Sequence, residues 1–476
     1  MHLLLSVAGR ELRRQWSRWF IPATIGVVAI LASLSTLIGL RSQAVQTGRY
    51  TQLLQQVVQA QVRPGGVAMG WQMEPALRVV RPPSPAASVV RGVDGSSPAY
   101  WDFGPGGVLP SAPTALHDAD DVSPAVDVEF LIRVLLGLLT LAMATQAHAM
   151  LQPRGELEGI TRFPINQRSI WIGQAAGSAL FAFTGWAIVA GAVIGTALAV
   201  APDPTSSHAV VLTVVRMTIP SLAYLTMMVG IGSVIAVSLS ATQSRSVAVL
   251  LVWLIVCNLA PTVLLSIARV VHPVSSMLAM TTTRDVSLAT ELRAGELELG
   301  SVLATRNVQA STLGDPFDED RYPELEPIWI AHVRDARHQA ETIEGVWRRE
   351  EDAHDRWIDR VEWLSPASLY WRAASDAAGT GRVARQTWDV AIRSYAEVLR
   401  RSLFDDRPRV NPRMPGGDVF AMVRHSIPAI RNLPVFDSAD IATTAIADLA
   451  VPVGILWGYA AAFMILSTVM FLRVRH

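Results

Sequence analysis

The residues whose types and spacing could do chemistry are few. His332, Asp335 and His338 recur at three-residue steps on a helical pattern, a spacing that offers nitrogen and oxygen ligands to a metal. The same spacing describes a solvated helix face, which is the expectation here. Asp315–Asp320 is acidic but lacks the spacing and glycine of a calcium-binding loop. Cys257 is the single cysteine and lies in an apolar run, so neither a disulfide framework nor a cysteine metal site is available within the chain. Every basic residue is arginine, so the phosphate-binding motif G-x-x-x-x-G-K-[ST] cannot occur. H-E-x-x-H, G-x-S-x-G and C-x-x-C are absent too. The expectation is a chain without a catalytic, metal or cofactor site of its own.

The elements that carry these residues follow from composition. Half the residues are hydrophobic (51%), only 17% are charged, and mean hydropathy is +0.32, values that belong to a membrane protein. Net charge is zero, which gives no polybasic surface for nucleic acid. Six stretches reach the ~20 apolar residues needed to cross a bilayer: Phe20–Leu40, Val128–Met150, Ala175–Val200, Ala209–Leu239, Ser246–Ala268 and Leu449–Leu472. Glu129 and Arg133 near the start of the second, and Arg216 in the fourth, are expected near an interface, where arginine snorkels. Gln146, His148 and Asn258 are expected to hydrogen-bond between helices. Gly173, Gly177, Gly191 and Gly195, each pair four apart, are expected to let helices pack closely within the subunit.

Residues 1–19 are expected to form an amphipathic helix at the membrane surface. Leu5, Ala8, Leu12, Trp16 and Trp19 share one face, and Arg10, Arg13, Arg14 and Arg18 lie opposite. The charged stretch is too long for a cleaved signal peptide. Arginine placement gives orientation. Arg10–Arg18, then Arg154, Arg162 and Arg168, then Arg245, then Arg473 and Arg475 all fall on one side of a six-span chain, whereas the short loop Ala201–His208 has none. That side is expected to be cytoplasmic, with both termini there, in a bacterial inner membrane.

Arg41–Asp127 and Arg269–Asp448 then lie outside and make up over half the chain. The first starts helically through Gln43–Gln61 and turns Pro- and Gly-rich, as in Arg81-Pro-Pro-Ser-Pro85 and Gly104-Pro-Gly-Gly107, which reads as irregular structure or a flexible arm. The second reads as a helical bundle. Glu326–Val361 is long and charged, Pro366 suits the first turn of a following helix, and Gly379-Thr-Gly381 breaks the chain before Arg382–Phe404. The fold class expected is an all-α polytopic membrane protein with six spans and two large external regions.

The segment joining spans two and three, residues 151–174, carries Glu156, Glu158, Gly159, Pro164 and Arg168. It resembles the segment after the second span of ABC-2-type exporter permeases, in which acidic residues and a glycine precede a proline and an arginine leading into span three. Trp363-Leu-Ser-Pro-Ala-Ser-Leu369, Asp376-Ala-Ala-Gly-Thr-Gly381 and Asn432-Leu-Pro-Val-Phe436 are similar to a branch of those permeases with a large external domain. The resemblance implies that Glu156–Arg168 meets a separate ATP-binding subunit, which holds ATP and magnesium. It also implies a second permease subunit, identical or related, besides the surrounding lipid. A pump and a non-pumping transmitter acting on a periplasmic or cell-surface partner are the two expectations it leaves.

Overall fold

The computed structural model describes residues 2–62, 67–68, 78–93, 98–104, 107–110, 126–149, 167–305, 325–403, 426–427, 436 and 449–473. The chain is an all-α polytopic membrane protein. Among the described residues six helices are long and apolar enough to cross a membrane. They lie in α2 (Phe20–Val62), α3 (Val128–Ala149), α4 (Gln167–Val200), α5 (Pro204–Ser238), α6 (Thr242–Val271) and α11 (Ala450–Arg473). Alternating directions put the two ends of the chain at one end of the bundle, the terminal end. Most of the described residues outside the spans lie at the far end. There stand α7 (Met277–Thr305), α8 (Leu325–Val361), α9 (Pro366–Ala378) and α10 (Arg382–Leu403), while α1 (His2–Trp16) precedes α2 at the terminal end.

The bundle is built around α5. Asp203 caps it, accepting hydrogen bonds from Ser206 N at 2.7 Å and Ser206 Oγ at 2.9 Å, with Pro204 at the first helical position. Gly230 and Gly232 set the distance of its neighbours. A Cβ on Gly230 would fall 2.8 Å from Phe463 Cβ on α11. One on Gly232 would fall 2.7 Å from the Leu141 carbonyl on α3. The two glycines thus let α11 and α3 approach different sides of α5. By contrast α6 is barely covered: Leu250, Leu251, Leu254, Ile255, Leu259 and Val263 are all exposed. In water such a stripe would be unstable; against lipid it needs no partner.

The far end holds a second layer. A long hairpin of α7 and α8 closes over Leu292, Leu299, Leu303, Leu325 and Trp329. Where the composition suggests irregular structure, β2 (Arg78–Val80), β3 (Tyr100–Gly104) and β4 (Gly107–Pro110) form an antiparallel sheet in the order β2-β3-β4. Its pairs include Val79 with Trp101 and Gly104 with Gly107. A shorter pair joins β1 (Val67–Ala68) to β5 (Ser426–Ile427). Trp101 and Phe103 alternate along β3 toward one face. Trp101 stacks on Trp388 of α10 at 6.0 Å between centroids, Phe103 meets Tyr395 edge-on at 5.6 Å, and Phe436 completes the cluster at 5.2 Å from Tyr395. Aromatic burial, in segments otherwise rich in proline and glycine, fixes the sheet on the helical layer.

Candidate functional site

The charged pair Glu129–Arg133 is largely buried at the start of α3. It is turned into the bundle, where Arg133 Nε donates to Glu129 Oε1 at 2.7 Å and Glu129 is 1% exposed. Arg133 lies in a π-helical turn, Leu131–Leu136, and α6 carries a second one, Ile255–Leu259. The two face each other: Arg133 Nη1 donates to the Cys257 carbonyl at 3.2 Å. Tyr224 on α5 donates to the Arg133 carbonyl at 3.0 Å, and its hydroxyl lies 3.2 Å from Cys257 Sγ. Trp253 Nε1 donates to the Val134 carbonyl at 2.9 Å. In hydrocarbon every backbone and charged group needs an internal partner, and π turns that offset their carbonyls are found where side chains supply it.

The extramembrane layer reaches this network through α9. Ser365 caps the helix, accepting from Ser368 N at 3.3 Å, and Pro366 is its first residue. Its face of Leu369, Tyr370, Ala374 and Ala377 joins the same apolar core as Met217 and Tyr224 of α5. The Tyr370 ring stacks on Tyr224 at 4.8 Å, and its hydroxyl is 3.0 Å from Ser221 Oγ. Tyr459 of α11 donates to the Trp363 carbonyl just before α9. A run of contacts therefore leads from Arg133 through Tyr224 to Tyr370.

The other end of α9 is locked by its glycines. Gly379 ends the helix in the left-handed conformation at φ 67°, which a glycine adopts without cost. At Gly381 a Cβ would collide with Asp376 Oδ1. Between them Thr380 Oγ1 donates to the Val90 carbonyl at 2.9 Å, and the Thr380 carbonyl accepts from Val93 N at 2.9 Å, tying in the first extramembrane region. Beside this turn Glu362 pairs with Arg382, and Arg372 lies 3.5 Å away. Burial pushes the Glu362 carboxyl above its ordinary range, with Arg382 and then Arg372 opposing. A cavity of about 260 Å³ opens between α3, α6, α8 and α9, with Arg133, Glu362 and Ser368 in its wall.

At the terminal end, Glu156, Glu158, Gly159 and Pro164 lie outside the described residues, and Arg168 is exposed in the first turn of α4. The α1 helix packs lengthwise on α4: Val7, Ala8, Glu11 and Gln15 are buried, and Leu12 and Trp16 of the predicted apolar face pack against the cluster of Phe181, Ile21, Ile25 and Met143. Gln15 Nε2 donates to Glu11 Oε1 at 3.0 Å and lies 3.4 Å from Ser178 Oγ. Arg14 pairs with Glu11 at 2.6 Å, while Arg10 and Arg13 are exposed. Trp16 meets Phe181 edge-on at 6.1 Å, whereas Trp19 falls beyond the helix end and is 81% exposed. Arg18 Nη1, in the turn after α1, donates to Gln146 Oε1 at 2.7 Å, so α1 and this turn bridge the last turn of α3 to α4.

The glycine pairs divide. Gly173 is buried, and a Cβ on Gly177 would fall 2.9 Å from Glu11 Cβ, so the close neighbour there is α1 and not another span. Gly191 and Gly195 are exposed and a Cβ there would meet nothing, so the close packing expected of them within the subunit is not formed. His148 sits 3.3 Å from Ser233 Oγ of α5 and against Trp171 at 4.2 Å. Asn258 is half-buried in the second π turn. His332 lies between two glutamates of α7, while Asp335 and His338 face solvent. Among the described residues no set of three potential ligands converges on a metal position. Neither a family model nor a curated protein matches this chain.

Proposed function

We propose that this chain is the membrane-spanning permease subunit of an ABC-type exporter, driven by a separate ATP-binding subunit. In this reading it sits in a bacterial cytoplasmic membrane with the terminal end in the cytoplasm. The partner holds ATP and magnesium, and a second permease subunit completes the path. The observation that supports the reading is the bracing of spans two and three by α1 at the end carrying Glu156–Arg168. Arg18–Gln146 holds α3, and Val7, Ala8, Glu11 and Gln15 lie along α4. A push on the segment between these spans moves all three helices as one body. Its acidic residues and Arg168 suit charge-assisted contacts to a partner surface.

The run from Arg133 through Tyr224 to Tyr370 favours a second reading, in which the stroke works on the extramembrane layer and not on a cargo. One reconstitution separates the two. The chain and an ATP-binding subunit that co-purifies with it are placed in vesicles, and ATP hydrolysis is followed with cargo accumulation. ATP-driven accumulation supports the exporter; hydrolysis that alters protease sensitivity of α7–α10 without accumulation supports the transmitter. The double variant Glu156→Arg, Glu158→Arg should insert normally, since acids contribute little to topology. It should lose co-purification of the ATPase or its coupling. Unchanged binding, hydrolysis and transport would remove the partner assignment. A single cysteine at Gln386 in a Cys257→Ser background should react with an impermeant reagent from outside, and one at Gln167 should not.

A further inference from the structure

We propose that the cavity between spans two and five and the extramembrane helices α8 and α9 holds the alkyl chain of an uncharged or zwitterionic amphiphile drawn from the bilayer. The site stands whether or not the chain works with an ATPase. Its apolar wall comes from Pro261, Leu264 and Leu265 of α6, Ile358 and Val361 of α8, and Trp371 of α9. The volume of about 260 Å³ is many times the ~30 Å³ share of one water.

Water is a poor occupant, because a held water needs two to four polar partners, and of the polar side chains in this wall only the Ser368 hydroxyl is unengaged. Arg133 already donates from Nε to Glu129 and from Nη1 to the Cys257 carbonyl. Glu362 already pairs with Arg382 and faces Arg372. An empty cavity forfeits the dispersion contacts of its whole lining. Lipid is the neighbour at hand, since Val263, Leu265 and Ile267 on the same stretch of α6 are exposed.

Depth and charge narrow the occupant. The apolar helix Thr242–Val271 has 30 residues, about 45 Å at 1.5 Å each, against a hydrocarbon core of roughly 30 Å. Residues 261–265 are the twentieth to twenty-fourth of these thirty, toward the extramembrane layer, near the level where tails meet headgroups. A lipid tail gains nothing by leaving a bilayer for an equally apolar wall, so occupancy depends on what meets the polar end. There the Ser368 hydroxyl has no hydrogen-bond partner among the described residues, and each nearby guanidinium is paired to a carboxylate. No surplus positive charge recruits an anion. A hydroxyl or phosphocholine group beside Ser368 fits.

The test uses the full chain in phosphatidylcholine nanodiscs with a lysophosphatidylcholine carrying a diazirine at the chain end. After irradiation, adducts should concentrate on residues 261–265 and 368–371. Unlabelled dodecylphosphocholine or dodecyl maltoside should lower them about tenfold while leaving adducts at Leu250–Leu254 unchanged. Dodecyl sulfate should compete no better. Leu264→Trp, which fills the cavity, should lower the same adducts. Cavity labelling no greater than at Leu250–Leu254, or labelling that no amphiphile displaces, overturns the site; displacement by the sulfate alone overturns the headgroup class. The competition in the unaltered chain decides the matter even if Leu264→Trp does not fold.

Discussion

The helix α9 and the hairpin of α7 and α8 belong to the same extramembrane layer but are held by different physics. α9 contributes Leu369, Tyr370, Ala374 and Ala377 to the core of the spans, each fully or almost fully buried. The hairpin closes on a narrow strip, Leu292, Leu299, Leu303 and Trp329, flanked by charged side chains on both helices. At its base Arg284, only 2% exposed, is paired with Glu344 at 3.9 Å, and burial lowers its affinity for a proton. What the contrast teaches is where motion is transmitted and where it is free. A segment sharing the core of the bundle moves with it, whereas a segment closed on its own strip opens by itself.

Truncating Tyr370 attacks the stronger side. Tyr370→Ala removes a stacked ring and a buried hydroxyl and should cost about 3–5 kcal/mol. The loss should appear as one lowered melting transition of the whole detergent-solubilised protein. Tyr370→Phe keeps the ring and loses about 1 kcal/mol. Two separate transitions after Tyr370→Ala would show that α9 does not share the fate of the spans. Leu299→Ala attacks the other side and should cost about 2–3 kcal/mol, but only locally. Amide exchange should rise along α7 and α8 while α5 and α9 keep their protection. Faster exchange at Tyr370 in that variant would erase the distinction.

Gly381→Ala sharpens the comparison at the far end of α9. The added Cβ meets the Asp376 carboxylate, which is buried, and displacing it should cost about 1–3 kcal/mol. Asp376→Ala in the same chain removes the opposing atoms and should restore part of the loss. A double variant no more stable than Gly381→Ala would show that the obstruction lies elsewhere.

Much of this architecture is legible in the sequence, because hydropathy over twenty residues reports six spans and Ser365-Pro366 and Gly379 carry the start and stop of α9 in their own chemistry. The sheet is harder to read. Its strands are three to five residues long, and the neighbouring prolines and glycines swamp the alternation of Trp101 and Phe103. The junction is half legible: Glu129 and Arg133 stand four apart, but nothing local says that their partners are Tyr224 and Cys257. π turns carry no composition signal, so the inward turn of Arg133 cannot be anticipated. The docking of α1 is only partly given by the amphipathic projection: Ala8, Leu12 and Trp16 are packed, but burial also takes in Glu11 and Gln15, joined by a hydrogen bond from Gln15 Nε2 to Glu11 Oε1.

The smallest effect expected is the most specific to the hairpin. His332 Nδ1 lies 2.9 Å from Glu291 Oε1, and its Nε2 lies 2.9 Å from Glu298 Oε2, both on α7. Gln339 of α8 donates to the second oxygen of Glu291 at 3.2 Å. A neutral imidazole donates from one nitrogen only, so both contacts are satisfied only by the imidazolium. The hydrogen bond to Glu298 raises the His332 pKa above its ordinary 6.5, with Glu291 adding and burial opposing. A folded-state pKa above the unfolded one means stability that is complete below about 6.5 and is lost as pH rises through the higher folded value. The site is half-open to solvent, so the contribution is that of a surface pair, roughly 0.2–1 kcal/mol, and salt reduces it. After correction for intrinsic rates, amides of α7 and α8 should exchange more slowly at pH 6 than at pH 9, and His332→Gln should flatten that difference. The α9 amides should show no such dependence on His332, because α9 is held by burial. Equal hairpin protection at the two pH values, or a His332-dependent change appearing in α9, would break the comparison at its most delicate point.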